Sequence, residues 1–216
     1  MIPSETKGVP VPPLLLEVLP GQVEGPLHFE AIFGRPGPVE IEIGIGKGRF
    51  ILNEAERRPE VNFLGLEWSL KHLRIARDRA ARRGLTNMRL HRADARHVVS
   101  DLVRDATVAR VHVYCPDPWP KKRHHKRRLF TPGTARHLER ILELGGYLNV
   151  STDVWEYFEE IVGLVAAHTG LARASDPLCQ DEGGGRTNYE TKYLAAGRPI
   201  HRATWHKQER TAAGSA

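Results

Sequence analysis

Apolar positions along the chain fall into short strand-like runs separated by longer stretches with helical spacing. "VEIEIGI" (39–45) predicts a strand and "GRFILNEAERR" (48–58) a helix. "VNFLGLEW" (61–68) predicts the next strand, followed by the helical "LKHLRIARDRAARRG" (70–84), closed by its terminal glycine. Further strands are predicted at "MRLHRAD" (88–94), "ARVHVYC" (109–115) and "GGYLNVST" (145–152), with helices over 95–104, 132–144 and 154–168. Pro132 after Thr131 suits a cap followed by a first helical residue. Beyond these, "YETKYLAAG" is compatible with a short helix and "PIHRATW" (199–205) with a last strand.

Strand and helix alternating in this way predict an α/β fold, a mostly parallel sheet with helices on both faces. Residues 1–36 stand apart. Pro3, Pro10, Pro12, Pro13, Pro20, Pro26 and Pro36 interrupt them without helical or alternating pattern, which predicts an extended, mobile arm. The expected organisation is that arm, one domain over 37–206, and a frayed tail over 207–216. "SDPLCQDEGGGRTN" (175–188) reads as a mobile loop.

Forty per cent apolar residues and 27% charged ones describe a globular chain rather than a disordered one. No apolar run approaches the roughly 20 residues that span a bilayer, and the first residues lack a secretory signal pattern. Cys115 and Cys179 are too few for a disulfide framework or a cysteine-built zinc site, so a reducing, cytoplasmic setting is expected. The 11 histidines show no HExxH pattern, and no metal is expected.

Charge is unevenly placed. Lys121, Lys122, Arg123, Lys126, Arg127 and Arg128 together match the formal excess of +6. A field concentrated in one segment suits a polyanion such as nucleic acid. Arg74, Arg77, Arg79, Arg82 and Arg83 read instead as a solvated helix face.

"EIGIGKG" closes the first predicted strand and opens the first helix, a place where Gly44, Gly46 and Gly48 let the chain turn tightly beside a ligand. Three acids follow successive strands. Glu67 lies about 20 residues beyond the glycines, where a carboxylate accepts from ribose hydroxyls. Asp94 ends the third strand in "HRADA", and Glu42 stands directly before the loop. A carboxylate at 42 is awkward beside a pyrophosphate but suits a cofactor with an ammonium and a sulfonium. Arg49 also occupies the place of the third dinucleotide-fingerprint glycine. The cofactor expected is S-adenosyl-L-methionine, not a dinucleotide.

After the fourth strand comes "CPDPWPKKRHHKRR", in which Cys115, Asp117 and Trp119 each precede a proline. Residues before proline are pushed toward extended conformations, so a stiff rod is expected to hold Asp117 at the sheet's carboxyl edge. Trp119 reads either as packing or as a plate for a base.

With "EIGIGKG", "GLEWS", "ADA", "PDPWPKKRHHKRRL", "STD" and "TNYETK" in this order, the chain resembles the bacterial tRNA (guanine-N7-)-methyltransferases over residues 39 to 205. That resemblance implies a Rossmann-like class I methyltransferase, with a seven-stranded, mostly parallel sheet whose last strand is antiparallel. It implies methylation of N7 of guanosine 46 in the tRNA variable loop. On it, Glu42, Gly44, Gly46, Gly48, Glu67, Asp94, Ala95 and Asp117 bind the cofactor, and Asp117 is also catalytic. Lys121, Asp153, Thr187, Asn188, Tyr189 and Glu190 bind substrate, while Arg123, His124, His125, Lys126, Arg127 and Arg128 contact RNA. Asp153 and Glu190 are both candidates for the guanine Watson–Crick edge. Competing readings are a methyltransferase for another RNA atom or a small molecule, and an RNA-binding protein without catalysis. Monomer and homodimer are both compatible with the sequence.

Overall fold

A computed structural model describes residues 15–16, 25–175 and 187–209. In chain order the first half contains β1 (Leu15–Leu16), α1 (Phe29–Phe33), β2 (Val39–Ile43), α2 (Arg49–Arg57), β3 (Asn62–Leu66), α3 (Leu70–Arg82), β4 (Met88–His91) and α4 (Ala95–His97). The second half contains β5 (Val108–Tyr114), α5 (Pro132–Ile141), β6 (Leu142–Thr152), α6 (Trp155–His168), β7 (Ala172–Arg173), α7 (Asn188–Ala195) and β8 (His201–His206). The described strands form one sheet in the order β1-β4-β3-β2-β5-β6-β8-β7. Pairing is parallel from β1 through β6, and β8 lies antiparallel between β6 and β7. The expected seven-stranded class I methyltransferase sheet is therefore present, with two-residue β1 added at one edge.

Local chemistry sets these elements. Ser69 caps α3 by accepting from the His72 N–H, and Leu73, Ala76 and Ala80 form its buried face. Thr131 caps α5 through the Thr134 N–H, with Pro132 in its first turn. The helix predicted over 95–104 is α4 continued by a π-helical turn, Val98–Leu102, which buries Val98, Val99 and Leu102. The helix predicted to reach 144 stops at Ile141. Leu142 is instead buried as the first residue of β6, paired with Val108, and the chain bends again at Gly145, where φ is +78°. One apolar core lies between α2, α3 and the sheet; the larger one covers the opposite face beneath α5 and α6.

The domain also begins before residue 37. Leu27 and Phe33 are buried in the larger core, and the Leu27 N–H donates to the Leu102 carbonyl at 2.7 Å. The fully buried Arg89 guanidinium donates to the carbonyls of Ile32 (3.0 Å) and Phe33 (3.2 Å), closing the C-terminal end of α1. Seven prolines made this region look featureless, but two apolar side chains and one long cation anchor its last part. The rest of the expected arm, residues 1–14 and 17–24, lies outside the described residues, as does the loop over 176–186. No described helix is long and apolar enough to cross a membrane.

All five residues of β2 are buried, including Glu40 and Glu42, two positions apart on the same face. Glu40 accepts a bidentate pair from Arg58 (2.6 and 2.7 Å) and approaches His112 Nε2 at 3.0 Å. Burial alone would push this carboxyl up; hydrogen bonds from His112 and Arg58 outweigh it and bring it from 4.5 down to about 2. A carboxyl held below its unfolded value adds stability above that value and loses it as pH falls. Stability is therefore expected to drop between about pH 4.5 and 2. Glu40→Gln should remove that pH segment and cost roughly 1–3 kcal/mol at pH 7, because Arg58 and His112 lose a charged acceptor while Arg58 keeps its pair with Glu54. Urea unfolding of both proteins across pH checks this.

Candidate active site

Strand order reverses between β2 and β5, and in open α/β sheets ligands bind at the carboxyl ends of strands beside such a reversal. Here Gly44, Gly46 and Gly48 take φ of +78°, +52° and +77°. A Cβ at Gly48 would stand 2.9 Å from the Ala76 Cβ, so this glycine lets α2 close onto α3. Glu67, just past β3, fixes the loop from the other side. Its Oε2 accepts from the Gly46 N–H and its Oε1 from the Ser69 N–H, both at 2.8 Å.

A cavity of about 660 Å³ opens at these strand ends. Gly44, Gly46, Glu67, Asp94, Ala95, Asp117, Asp153 and Tyr189 line it, together with Trp119 and Arg127. The rim therefore gathers acids that are far apart in sequence. Asp94 caps α4 through the Arg96 N–H and pairs with the Arg96 guanidinium. Asp153 is paired with Arg198. Asp117 is exposed, and among the described residues its carboxylate has no hydrogen-bond or ion-pair partner.

Glu42 lies behind this wall, next to Ile43 and Gly44. Its side chain takes a hydrogen bond from the Ile51 N–H in the first turn of α2, while Oε2 is buried without a partner among the described residues. Burial, with added repulsion from Glu67 and Glu190, raises the carboxyl from 4.5 to about 8. An orphaned buried oxygen beside other acids favours a cation and opposes a phosphate. The donor set thus fits a methionine-derived cofactor bearing an ammonium, and the positive-φ glycines leave the cradle open above it.

The proline stretch departs from its expected form. Cys115 and Trp119 are not extended but sit at φ +49° and +44°, in the left-handed region. Such a conformation costs on the order of 1–3 kcal/mol per residue and is held by its surroundings. One brace is Arg128. This residue, expected to contact RNA, is 2% exposed. It donates to the Pro118 carbonyl at 2.7 Å, pairs with Glu160 and stacks on Tyr157. A run of like cations does not reveal which member turns inward; the structure makes Arg128 a strut between the proline segment and α6.

The rest of the run forms a 3-10 helical turn, Lys122–Arg127. Lys121, Arg123, Lys126 and Arg127 are exposed, and His124 and His125 are half-buried. Arg127 stacks over Trp119 at 4.9 Å, and His124 meets the same ring edge-on at 5.9 Å. A cation over an indole at the cavity rim is a surface suited to a nucleobase and its phosphate.

In the last expected segment only Tyr189 reaches the cavity. Thr187 and Glu190 form a capping box at α7, and Glu190 Oε1 also accepts from Ser151 (2.8 Å) and Arg202 (3.1 Å). Asn188 faces a separate cleft. Sequence reasoning missed Tyr193 and Arg198, which also line the cavity. Tyr193 follows Tyr189 by one helical turn, a spacing that could have flagged it; Arg198 carries no local signal. Cys115 lines the cavity too, and burial, then the charges of Glu190 and Asp153, push its thiol up to about 12. Among the described residues no group of three His, Cys, Asp or Glu could hold a metal ion.

A family model described as "Putative methyltransferase" matches residues 36–203. Curated relatives include a tRNA (guanine-N(7)-)-methyltransferase of Rhodopirellula baltica, 35% identical, with 88% of this chain and 73% of that protein aligned. A protein of the same description from Myxococcus xanthus is 35% identical over 83% of this chain and 88% of its own length. Among solved structures, the 16S rRNA methyltransferase KamB superposes with a TM-score of 0.63 at 16% identity, covering 83% of this chain and 92% of that one. At that identity the likeness concerns the fold.

Glu42 stays protonated in the folded chain up to about pH 8, whereas its unfolded form ionises near 4.5. Stability should therefore fall as pH rises between those values. Glu42→Gln is expected to raise the melting temperature of the free protein at pH 8 and to weaken S-adenosyl-L-methionine binding at least tenfold. Thermal unfolding and calorimetric titration read the two effects.

Proposed function

We propose that this chain, which belongs to the tRNA (guanine-N(7)-)-methyltransferase family, methylates N7 of a guanosine in tRNA, with guanosine 46 of the variable loop as the target. The observation that carries this reading is the placement of Asp117. Its carboxylate, unpartnered among the described residues, shares one cavity with the glycine loop and Glu67 on one side and the Trp119–Arg127 stack on another. S-adenosyl-L-methionine, when bound, supplies a methyl group already activated by its sulfonium charge. Glu42, Glu67, Asp94, Ala95 and the three loop glycines are the residues that would hold it.

Guanine N7 presents its lone pair without prior deprotonation, so this chain need not provide a strong base. Its residues have to orient the base, and well-oriented reactants gain up to roughly 7–11 kcal/mol. Positive charge develops on the guanine as N7 is alkylated. Asp117 faces that charge as a carboxylate and stabilises it electrostatically. It therefore acts in orientation and charge stabilisation rather than proton abstraction.

Asp153 is the better candidate for the Watson–Crick edge, where N1–H and N2–H₂ offer two donors to one carboxylate. Asp153, paired with Arg198, lines the cavity, whereas Glu190 lies outside that lining and accepts from Ser151, Arg202 and the Thr187 N–H. Tyr189 and Trp119 offer faces for a base taken out of its stack. Lys121, Arg123, Lys126 and Arg127 contact phosphates, with His124 and His125 beside them.

Asp117→Ala is expected to abolish methyl transfer, with melting temperature and tRNA affinity nearly unchanged. Activity above about a tenth of normal would remove the role given to Asp117. For the reaction itself, unmodified tRNA is incubated with protein and cofactor, digested to nucleosides and mapped by mass spectrometry. The expected product is 7-methylguanosine at position 46; methyl groups elsewhere would overturn the assignment of position.

A further inference from the structure

The arginines of α3 read from sequence as a solvated face, but three of them do not simply splay into water. Arg79, Arg82 and Arg83 converge with Arg49 of α2 and Asn188 of α7 on a cleft of about 500 Å³. Among the described residues no acidic side chain lines it. Arg83 is committed to Asn53 (2.9 Å) and Glu56 (3.0 Å). Arg79 donates to the Lys47 carbonyl at 3.0 Å and has no ion-pair partner among the described residues. Arg49 and Arg82 are exposed and have no ion-pair partner among the described residues.

This cleft adjoins the active-site cavity through two elements. Lys47, whose carbonyl Arg79 holds, stands between Gly46, which lines the cavity, and Gly48, which opens α2. On α7, Asn188 faces the cleft while Tyr189 faces the cavity, its ring near Gly46. Cationic side chains thus flank the cavity from the glycine-loop wall as well as from the 3-10 turn.

Like charges gathered in a concave surface repel one another, and that repulsion is relieved by an anion that several of them share. Guanidinium groups suit phosphate because their planar donors match its oxygens in pairs. We infer that the Arg49–Arg79–Arg82 cleft is a second phosphate-binding surface, which grips the RNA backbone on the glycine-loop side while the 3-10 turn holds it at the Trp119 rim. The inference rests on the reading of tRNA as substrate and adds to it a route for the strand across the cavity. Arg79 reaches the glycine loop at the Lys47 carbonyl, but Arg49 and Arg82 do not line the active-site cavity, so these two should govern affinity and leave the chemical step alone.

The test is tRNA binding measured across a salt series for the wild-type protein, Arg49→Gln/Arg82→Gln and Arg49→Lys/Arg82→Lys. Each lost phosphate contact lowers the slope of log affinity against log salt by about 0.7–0.9. The Gln pair is expected to lower it by roughly 1.4–1.8 and to weaken binding about tenfold or more near physiological salt. Cofactor affinity, melting temperature and the turnover rate at saturating tRNA should stay at wild-type values, and the Lys pair should keep most of the slope. Arg77→Gln, on the same helix but paired with Asp78, serves as the control and should leave the slope unchanged. A Gln pair with wild-type slope, or an equal loss in the Arg77 control, would overturn the cleft while leaving the wild-type methyl transfer reading intact. Wild-type protein that neither binds nor methylates tRNA would sink the underlying function as well.

Discussion

A carboxyl group held out of water at the end of the central strand is the constraint on which the site is organised. Glu42 is buried, has one oxygen without a partner among the described residues, and stands near two further acids. Nothing in the free fold compensates it well, so it persists at a cost in stability that a cationic ligand can offset. The adjacent Glu40 makes the contrast plain. On the same strand and face, it is fully engaged by Arg58 and His112 and serves the fold. Two glutamates separated by one isoleucine thus differ in what surrounds them: one is engaged by the fold, and the other, on the function proposed above, is left for a ligand.

Around that point the chain combines rigid and adjustable parts. Glu67 locks the glycine loop through two backbone N–H groups, and Gly48 allows α2 to seat against α3. The proline segment is held from beneath by Arg128, with two residues kept in a left-handed backbone conformation. Above this base, Asp117 and most of the cationic turn are exposed. On the function proposed above, the preorganised layer lies under the reacting groups and the freer layer over them, as suits a surface that receives a large flexible polymer.

Much of this architecture could be read from the sequence. Strand and helix patterns located the central elements closely, because β2 and β3 are short runs buried throughout and α3 buries one patterned face. The glycine loop and the acids after successive strands were legible because topology brings strand ends together whatever their separation in the chain. What escaped depended on three-dimensional partners. Arg128 looks like its neighbours until Glu160 and Tyr157 are beside it, and Glu190 looks like a surface acid until Ser151 and Arg202 reach it. Leu27 and Phe33 were masked by the prolines around them. The left-handed Cys115 and Trp119 ran against the usual preference of residues before proline, since surrounding contacts can impose what local sterics disfavour.

The thiol of Cys115 has a consequence of its own. It lines a chamber that, on the reading above, holds an alkylating agent, and sulfur anions are far better nucleophiles than purine nitrogens. With its ionisation pushed up to about 12 by burial and neighbouring acids, the group carries almost no thiolate at neutral pH. The environment that favours a cationic guest therefore also guards the protein against self-alkylation, leaving the incoming base without an internal rival.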